Sequence, residues 1–114
     1  MTAYALFDNL EVSDPEALAR YAEEVDETVR AHGGRYLVVG GDVRSVEGDA
    51  QLTYPVLLEF PSLRAAQEWY DSDAYAPLKA LRRSASRSTA VFFESASSPL
   101  LDETADAVAT DRSR

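Results

Sequence analysis

The sequence predicts an α+β domain in the order β-α-β-β-α-β, a ferredoxin-like four-stranded antiparallel sheet with its helices on one face. Two observations carry this reading. Four short apolar runs have the length of strands: Ala3-Tyr4-Ala5-Leu6-Phe7, Tyr36-Leu37-Val38-Val39, Val56-Leu57-Leu58 with Phe60, and Ala90-Val91-Phe92-Phe93. Strong helix-start signals follow the first and the third run. Every run is apolar on both faces, whereas a half-exposed strand would alternate apolar and polar residues. The 114 residues, 46% of them hydrophobic, suit one small domain.

After the first strand, Ser13-Asp14-Pro15-Glu16 opens a helix. Asp14 can cap free backbone N–H groups, Pro15 suits the first helical position, and Glu16 favours the positive end of the helix dipole. Leu18, Tyr21, Ala22, Val25 and Val29 recur at helical spacing and form one apolar stripe. Gly33-Gly34 ends this helix, and the second strand starts at Arg35. Gly40-Gly41-Asp42 and Glu47-Gly48-Asp49 then suggest a bent or bulged hairpin, with Val43 to Val46 as a short extra strand. The third strand is expected from about Thr53 to Phe60, stopped by Pro61. Ser62 caps a second helix bearing Leu63, Ala66, Trp69 and Tyr70. Ser72-Asp73 reads as a break before a further helical stretch with Tyr75, Leu78, Leu81 and Ala85. The fourth strand covers roughly Ser88 to Glu94. The domain is expected over residues 1–96, followed by an acidic C-terminal tail over 97–114, in which residues 100–108 could form one weak helix.

Helices on one side leave the other sheet face uncovered. Four strands about 4.8 Å apart and roughly 20 Å long give a face of about 350–400 Å². Leaving it wet forgoes on the order of 9 kcal/mol, comparable to the whole stability of a small domain. A homodimer packed through the sheet face resolves this conflict.

Composition narrows the function classes. The net charge is -9, from 11 basic and 20 acidic side chains. Such a surface repels phosphate backbones and anionic membranes, so neither nucleic acid nor membrane is an expected partner. Without cysteine, thiolate chemistry and Cys-based metal sites are excluded, and a cytoplasmic location fits. One histidine and scattered carboxylates give no metal-ligand spacing, and no phosphate-cradling glycine loop suggests a nucleotide cofactor. No cofactor is expected.

Residues 2 to about 96 resemble domain-of-unknown-function family 1330, within the dimeric α/β-barrel superfamily. The matching features are Asp14-Pro15-Glu16 with Tyr21, Gly33-Gly34-Arg35-Tyr36-Leu37, Gly40-Gly41 and Glu47-Gly48. They continue through Glu59-Phe60-Pro61, Ala65-Ala66, Trp69-Tyr70, Ser72, Tyr75 and Leu81-Arg82. Members usually carry a basic residue just before the third strand, where this chain has Thr53-Tyr54. The resemblance implies a homodimeric ferredoxin-like fold and supplies no catalytic residues. Related families include cofactor-free quinone-forming monooxygenases, lactone isomerases, polyketide cyclases and haem-degrading enzymes.

His32 is the only histidine, and an imidazole titrates near neutral pH. At a helix C-terminus it could instead serve as a stabilising cation or simply be a surface residue. Glu59 interrupts an apolar strand, where a carboxylate is costly unless paired. It is either half of a buried ion pair with Arg35 or Arg82, or a general base facing a pocket. Arg35 and Arg82 are accordingly candidate clamps for a ligand oxygen. Trp69 and Tyr75 could wall an aromatic pocket, although aromatics at helical spacing usually build core. Asn9 ends the first strand, where the resemblance to haem-degrading and quinone-forming families implies a ligand-orienting Asn.

Two readings follow. The first is a small-molecule-handling protein with its pocket between helices and sheet, in which His32 and Glu59 would be catalytic. Arg35, Trp69, Tyr75, Arg82 and Asn9 would bind substrate. As a cofactor-independent enzyme it would carry out proton transfer, isomerisation or monooxygenation on a small aromatic or carbonyl metabolite. The second is a non-catalytic homodimeric module that binds a ligand or a protein.

Overall fold

The computed structural model describes residues 1–96 and residue 100. Seven elements follow one another: β1 (Ala3–Val12), α1 (Pro15–Ala31), β2 (Arg35–Val39), β3 (Pro55–Phe60), α2 (Leu63–Tyr70), α3 (Ala76–Ala85) and β4 (Ser86–Glu94). They build one four-stranded sheet in the order β2-β3-β1-β4, antiparallel at every pair. This is the α+β, ferredoxin-like arrangement expected from the sequence. No helix among the described residues is long and apolar enough to cross a membrane.

The helix ends follow from local chemistry. Asp14 accepts a hydrogen bond from the Ala17 N–H at 3.1 Å, and Ser62 Oγ accepts from the Ala65 N–H at 3.0 Å. Each satisfies a donor that a first helical turn leaves orphaned. α1 stops where Gly33 turns to a φ of +79°, which lets the Gly33 and Gly34 N–H groups bond the Arg30 and Val29 carbonyls, both at 3.0 Å. Ser72 splits the second helical region. Its hydroxyl donates to the Trp69 carbonyl at 2.8 Å and accepts from the Tyr75 N–H at 3.2 Å.

Three boundaries differ from the sequence reading. Residues 43–46 form no strand: the segment between β2 and β3 is irregular and almost wholly exposed, and two valines among Asp42, Arg44 and Glu47 have no apolar face to bury. β3 starts at Pro55 instead of Thr53, because the Thr53 and Tyr54 N–H groups are bonded to the Asp8 carboxylate. β4 begins at Ser86, two residues early, running directly from α3. The weak helix expected over 100–108 lies, apart from Leu100, outside the described residues.

Strand alternation sorts the apolar runs into two layers. Ala3, Ala5 and Phe7 of β1, with Leu58 and Phe60 of β3, turn towards the helices and are buried against Val25, Val29, Ala66, Trp69, Tyr75 and Leu78. The intervening residues form the opposite face. Leu6 stands opposite Leu57 and Val91, and Tyr4 opposite Phe93, their rings 5.6 Å apart. Val38, Val91 and Phe93 there stay exposed, as expected for strands that are apolar on both sides. β2 shifts register between Tyr36 and Val38, so Tyr36 and Val39 share the helix side while Val38 pairs with Leu57 on the open face.

Candidate functional site

α1 leans on α3, and beneath its first half the sheet is not directly covered. The gap is a cavity of about 790 Å³, within the range of small-molecule sites. Its walls come from the end of β1, from Leu18, Tyr21, Ala22 and Val25 of α1, and from Tyr36, Val39, Val56 and Leu58 beneath. Trp69 and Arg82 reach it from α2 and α3. The surface is mostly aliphatic and aromatic, with a few polar groups in its lining.

Arg82 is the most unusual of these groups. It is only 5% exposed, yet no carboxylate among the described residues pairs with it. A buried charge normally has an ionic partner. Here Nε donates to the Tyr75 hydroxyl at 3.3 Å and Nη1 to Ser88 Oγ at 2.7 Å, while the guanidinium lies 5.1 Å from the centre of the Phe7 ring. Burial pulls the Arg82 pKa down, but the hydroxyls of Tyr75, Tyr21 and Tyr70 outweigh it and the net direction is upward. The guanidinium stays charged.

Tyr75 in turn lies 2.8 Å, oxygen to oxygen, from Tyr21. Tyr75 is fully buried, and its oxygen already accepts from Arg82. Its own proton therefore has Tyr21 as acceptor, since a buried hydroxyl left undonated is costly. That leaves the Tyr21 O–H free to donate, and Tyr21 lines the cavity. The chain Arg82 → Tyr75 → Tyr21 thus polarises a donor next to the cavity. Burial holds the Tyr21 phenol above its ordinary range. Burial also raises Tyr36, with Tyr75 and Asp26 adding to it. Both remain neutral hydroxyls at physiological pH.

The end of β1 supplies two further groups. The Asp8 carboxylate, 4% exposed, accepts from the Tyr54 N–H at 2.7 Å and from the Thr53 N–H at 2.9 Å. It thereby fastens the residues that close one side of the cavity. Gly40, with a φ of +68°, lies directly under the Tyr54 ring, where any Cβ would collide with it. Next to Asp8, Asn9 is one of the residues around the cavity, and its side-chain oxygen is buried without a hydrogen-bond partner. It is the one such side-chain atom among the described residues.

Of the residues singled out from the sequence, Asn9, Trp69 and Arg82 border the cavity. Tyr75 lies behind it and acts through Tyr21. His32, Arg35 and Glu59 are not brought to it. Glu59 sits one position out of phase with Leu58 and Phe60, hence on the open face. There it pairs with Arg35 at 2.7 Å, the Arg35 side chain 70% exposed, so the expected ion pair forms but is not buried. His32 ends α1, and its Nδ1 donates to the Thr28 carbonyl at 3.1 Å. Sequence reasoning missed Asp8, Ser88 and the polar role of Tyr21. Asp8 left a trace, a carboxylate directly after an apolar run; Tyr21 and Ser88 left none. No group of three or more His, Cys, Asp or Glu among the described residues could hold a metal.

A family model described as "Domain of unknown function (DUF1330)" matches residues 2–96. No curated protein matches the sequence. Among solved structures, a protein of unknown function from Rhodopseudomonas palustris is similar, with a TM-score of 0.63, 17% identity, and coverage of 85% of this chain and 84% of that one. SnoaB, a cofactor-independent oxygenase from Streptomyces nogalater, gives a TM-score of 0.53 at 13% identity, covering 86% and 94%. A candidate antibiotic biosynthesis monooxygenase from Nitrosomonas europaea gives 0.53 at 14%, covering 85% and 100%. At these identities the likeness is one of fold.

Proposed function

The chain belongs to the DUF1330 family, and from that premise we propose that it binds a small ring-bearing carbonyl metabolite in the α1 cavity and promotes its enolisation without a cofactor. The observation that carries this reading is Arg82: buried, without a carboxylate partner, at the edge of a mostly apolar cavity. Arg82 and the Tyr21 hydroxyl would stabilise negative charge developing on the carbonyl oxygen, as donors aimed at a nascent oxyanion do. The proton leaving the adjacent carbon would pass to a carboxylate of the lining, Asp26 or Glu11. Enolisation is also the first step from which isomerisation or oxygenation can proceed, and the fold shared with SnoaB is compatible with such use.

Trp69 is the only tryptophan and lines the cavity, so its fluorescence reports the site alone. A bicyclic ketone such as 2-tetralone is expected to change that emission saturably. The protein should also accelerate deuterium exchange at the carbon next to the ketone, followed by NMR. Arg82→Met and Tyr21→Phe should each slow this exchange, Arg82→Met by about 10²-fold or more. An unchanged emission and a background exchange rate would refute the reading.

We further infer that a second copy of the chain covers the open sheet face. Tyr4, Leu6, Val38, Leu57, Val91 and Phe93 form one apolar band there, interrupted only at its edge by the Arg35–Glu59 pair. Burying about 350–400 Å² per copy recovers on the order of 9 kcal/mol per subunit. Light scattering is expected to give twice the mass of one chain. Val91→Asp, at a position 55% exposed in the single chain, should halve that mass and leave the fold intact. A wild-type monomer at micromolar concentration would contradict this.

A further inference from the structure

The hydroxyl of Tyr36 is a polar group of the cavity that the protein itself leaves without a partner. The residue packs partly buried against the core and lines the cavity floor, and its hydroxyl has no hydrogen-bond partner among the described residues. The hydroxyl is not sealed away either, since Asn9 Oδ1 is the one fully buried, unpartnered side-chain atom there. Tyr75 and Asp26 are near enough to add to the burial that raises this phenol, yet Tyr75 is bonded to Tyr21 and Arg82, and Asp26 to Arg30. A hydroxyl that loses water without gaining a partner is costly, and a ligand oxygen would remove that cost. The sheet also sets Tyr36 apart from the anchor of Arg82. Tyr36 is on β2 and Ser88 on β4, the two edge strands, three strand spacings or about 14 Å apart. Tyr36 is in line with Leu58 and Ala5, whereas Ser88 faces Asn9, four residues further along β1. The two positions are diagonal across the sheet, with Val56 and Leu58 of the floor between them.

We propose, resting on the cavity reading above, that Tyr36 determines specificity and that the ligand is a ring ketone carrying a second oxygen, a hydroxyl or a further carbonyl, remote from the first. The ketone oxygen lies at Arg82 and Tyr21, and the Tyr36 hydroxyl donates to the second oxygen across the aliphatic floor. A ring that lacks this oxygen leaves Tyr36 unpaired and is held less tightly, because a site built to bond a polar group disfavours the analogue without it.

2-Tetralone and its isomeric derivatives with one hydroxyl on the aromatic ring test this, with binding read through Trp69 emission. At least one hydroxylated isomer is expected to bind the wild-type protein about fivefold or more tightly than 2-tetralone, the effect of one added hydrogen bond. Tyr36→Phe, which keeps the ring, should bring that isomer to within about twofold of 2-tetralone, so that the preference itself is lost. Should that variant not fold, as circular dichroism would show, Tyr36→Leu takes its place. The wild-type comparison decides without either variant: if no isomer gains over 2-tetralone, the proposal is overturned. It is overturned equally by a preference that survives the loss of the hydroxyl, or by a substitution that weakens 2-tetralone as much as the isomer. In each of these cases saturable binding of 2-tetralone leaves the cavity reading standing. Failure of every ketone to perturb Trp69 overturns both.

Discussion

Trp69→Ala is expected to lower the unfolding free energy by about 3–5 kcal/mol, the range for removing a buried aromatic ring. Trp69 is 1% exposed, and its ring centre lies 4.2 Å from that of Tyr75, 5.4 Å from Phe60 and 6.0 Å from Phe7. Its indole N–H also donates to Thr28 Oγ1 at 3.0 Å, tying α2 to α1. Truncation would remove the wall between core and cavity, so the packing has no compact way to relax. Domains of this size are stable by about 5–15 kcal/mol, and the variant should sit near the threshold of folding. Urea denaturation followed by circular dichroism checks this, since the variant has no tryptophan emission. Trp69→Phe, which keeps a ring, should cost clearly less. A loss below about 1 kcal/mol for the alanine variant would mean that Trp69 is not the keystone its contacts suggest.

Stability should also fall steeply in alkali. Tyr21 and Tyr36 are held above the ordinary phenol range, by burial first, so the folded state keeps two protons that the unfolded chain releases from about pH 10 upward. Below pH 10 both states hold these protons and the contribution is fully present. Above it the folded state binds more protons, and unfolding becomes easier by about 1.4 kcal/mol per pH unit for each phenol. The two together remove about 3 kcal/mol per pH unit. Denaturation midpoints measured between about pH 9 and 11.5 should decline accordingly. Tyr36→Phe and Tyr21→Phe should each remove about half the slope. A flat profile, or one unchanged in both variants, would contradict the buried, neutral state of these hydroxyls.

Much of the fold was legible because it rests on local chemistry. Asp14, Pro15, Ser62 and the Gly33-Gly34 pair set helix ends wherever they occur, and the four runs announced strands. Val43 and Val46 misled because strand propensity without a face to bury does not make a strand. Continuous apolar runs also hid strand parity. Leu58 and Phe60 turn inward, which sends Glu59 outward, but nothing in Val56–Phe60 says which face is the core. Glu59 and Arg35 therefore looked like site residues and proved to be neighbours on the open face. Arg82 resembled any helix cation. Only tertiary packing gives it Tyr75 and Ser88, from α3's own start and from β4, in place of an acid. Tyr21 could not be separated from its apolar stripe, since a hydroxyl's partner 54 positions away leaves no periodic trace.

The extra residue in β2 has an evolutionary consequence. With Leu37 inserted, Tyr36 and Val39 both form the cavity wall while Val38 serves the open face. Pairing all five residues of β2 regularly, without the bulge, would exchange the duties of Val38 and Val39, and so alter pocket and sheet surface in a single event, whereas deleting Leu37 would leave both in place. Relatives that keep this length but pair the strand without the bulge would thus diverge in ligand preference abruptly, while those that only lack the extra residue would keep the same wall.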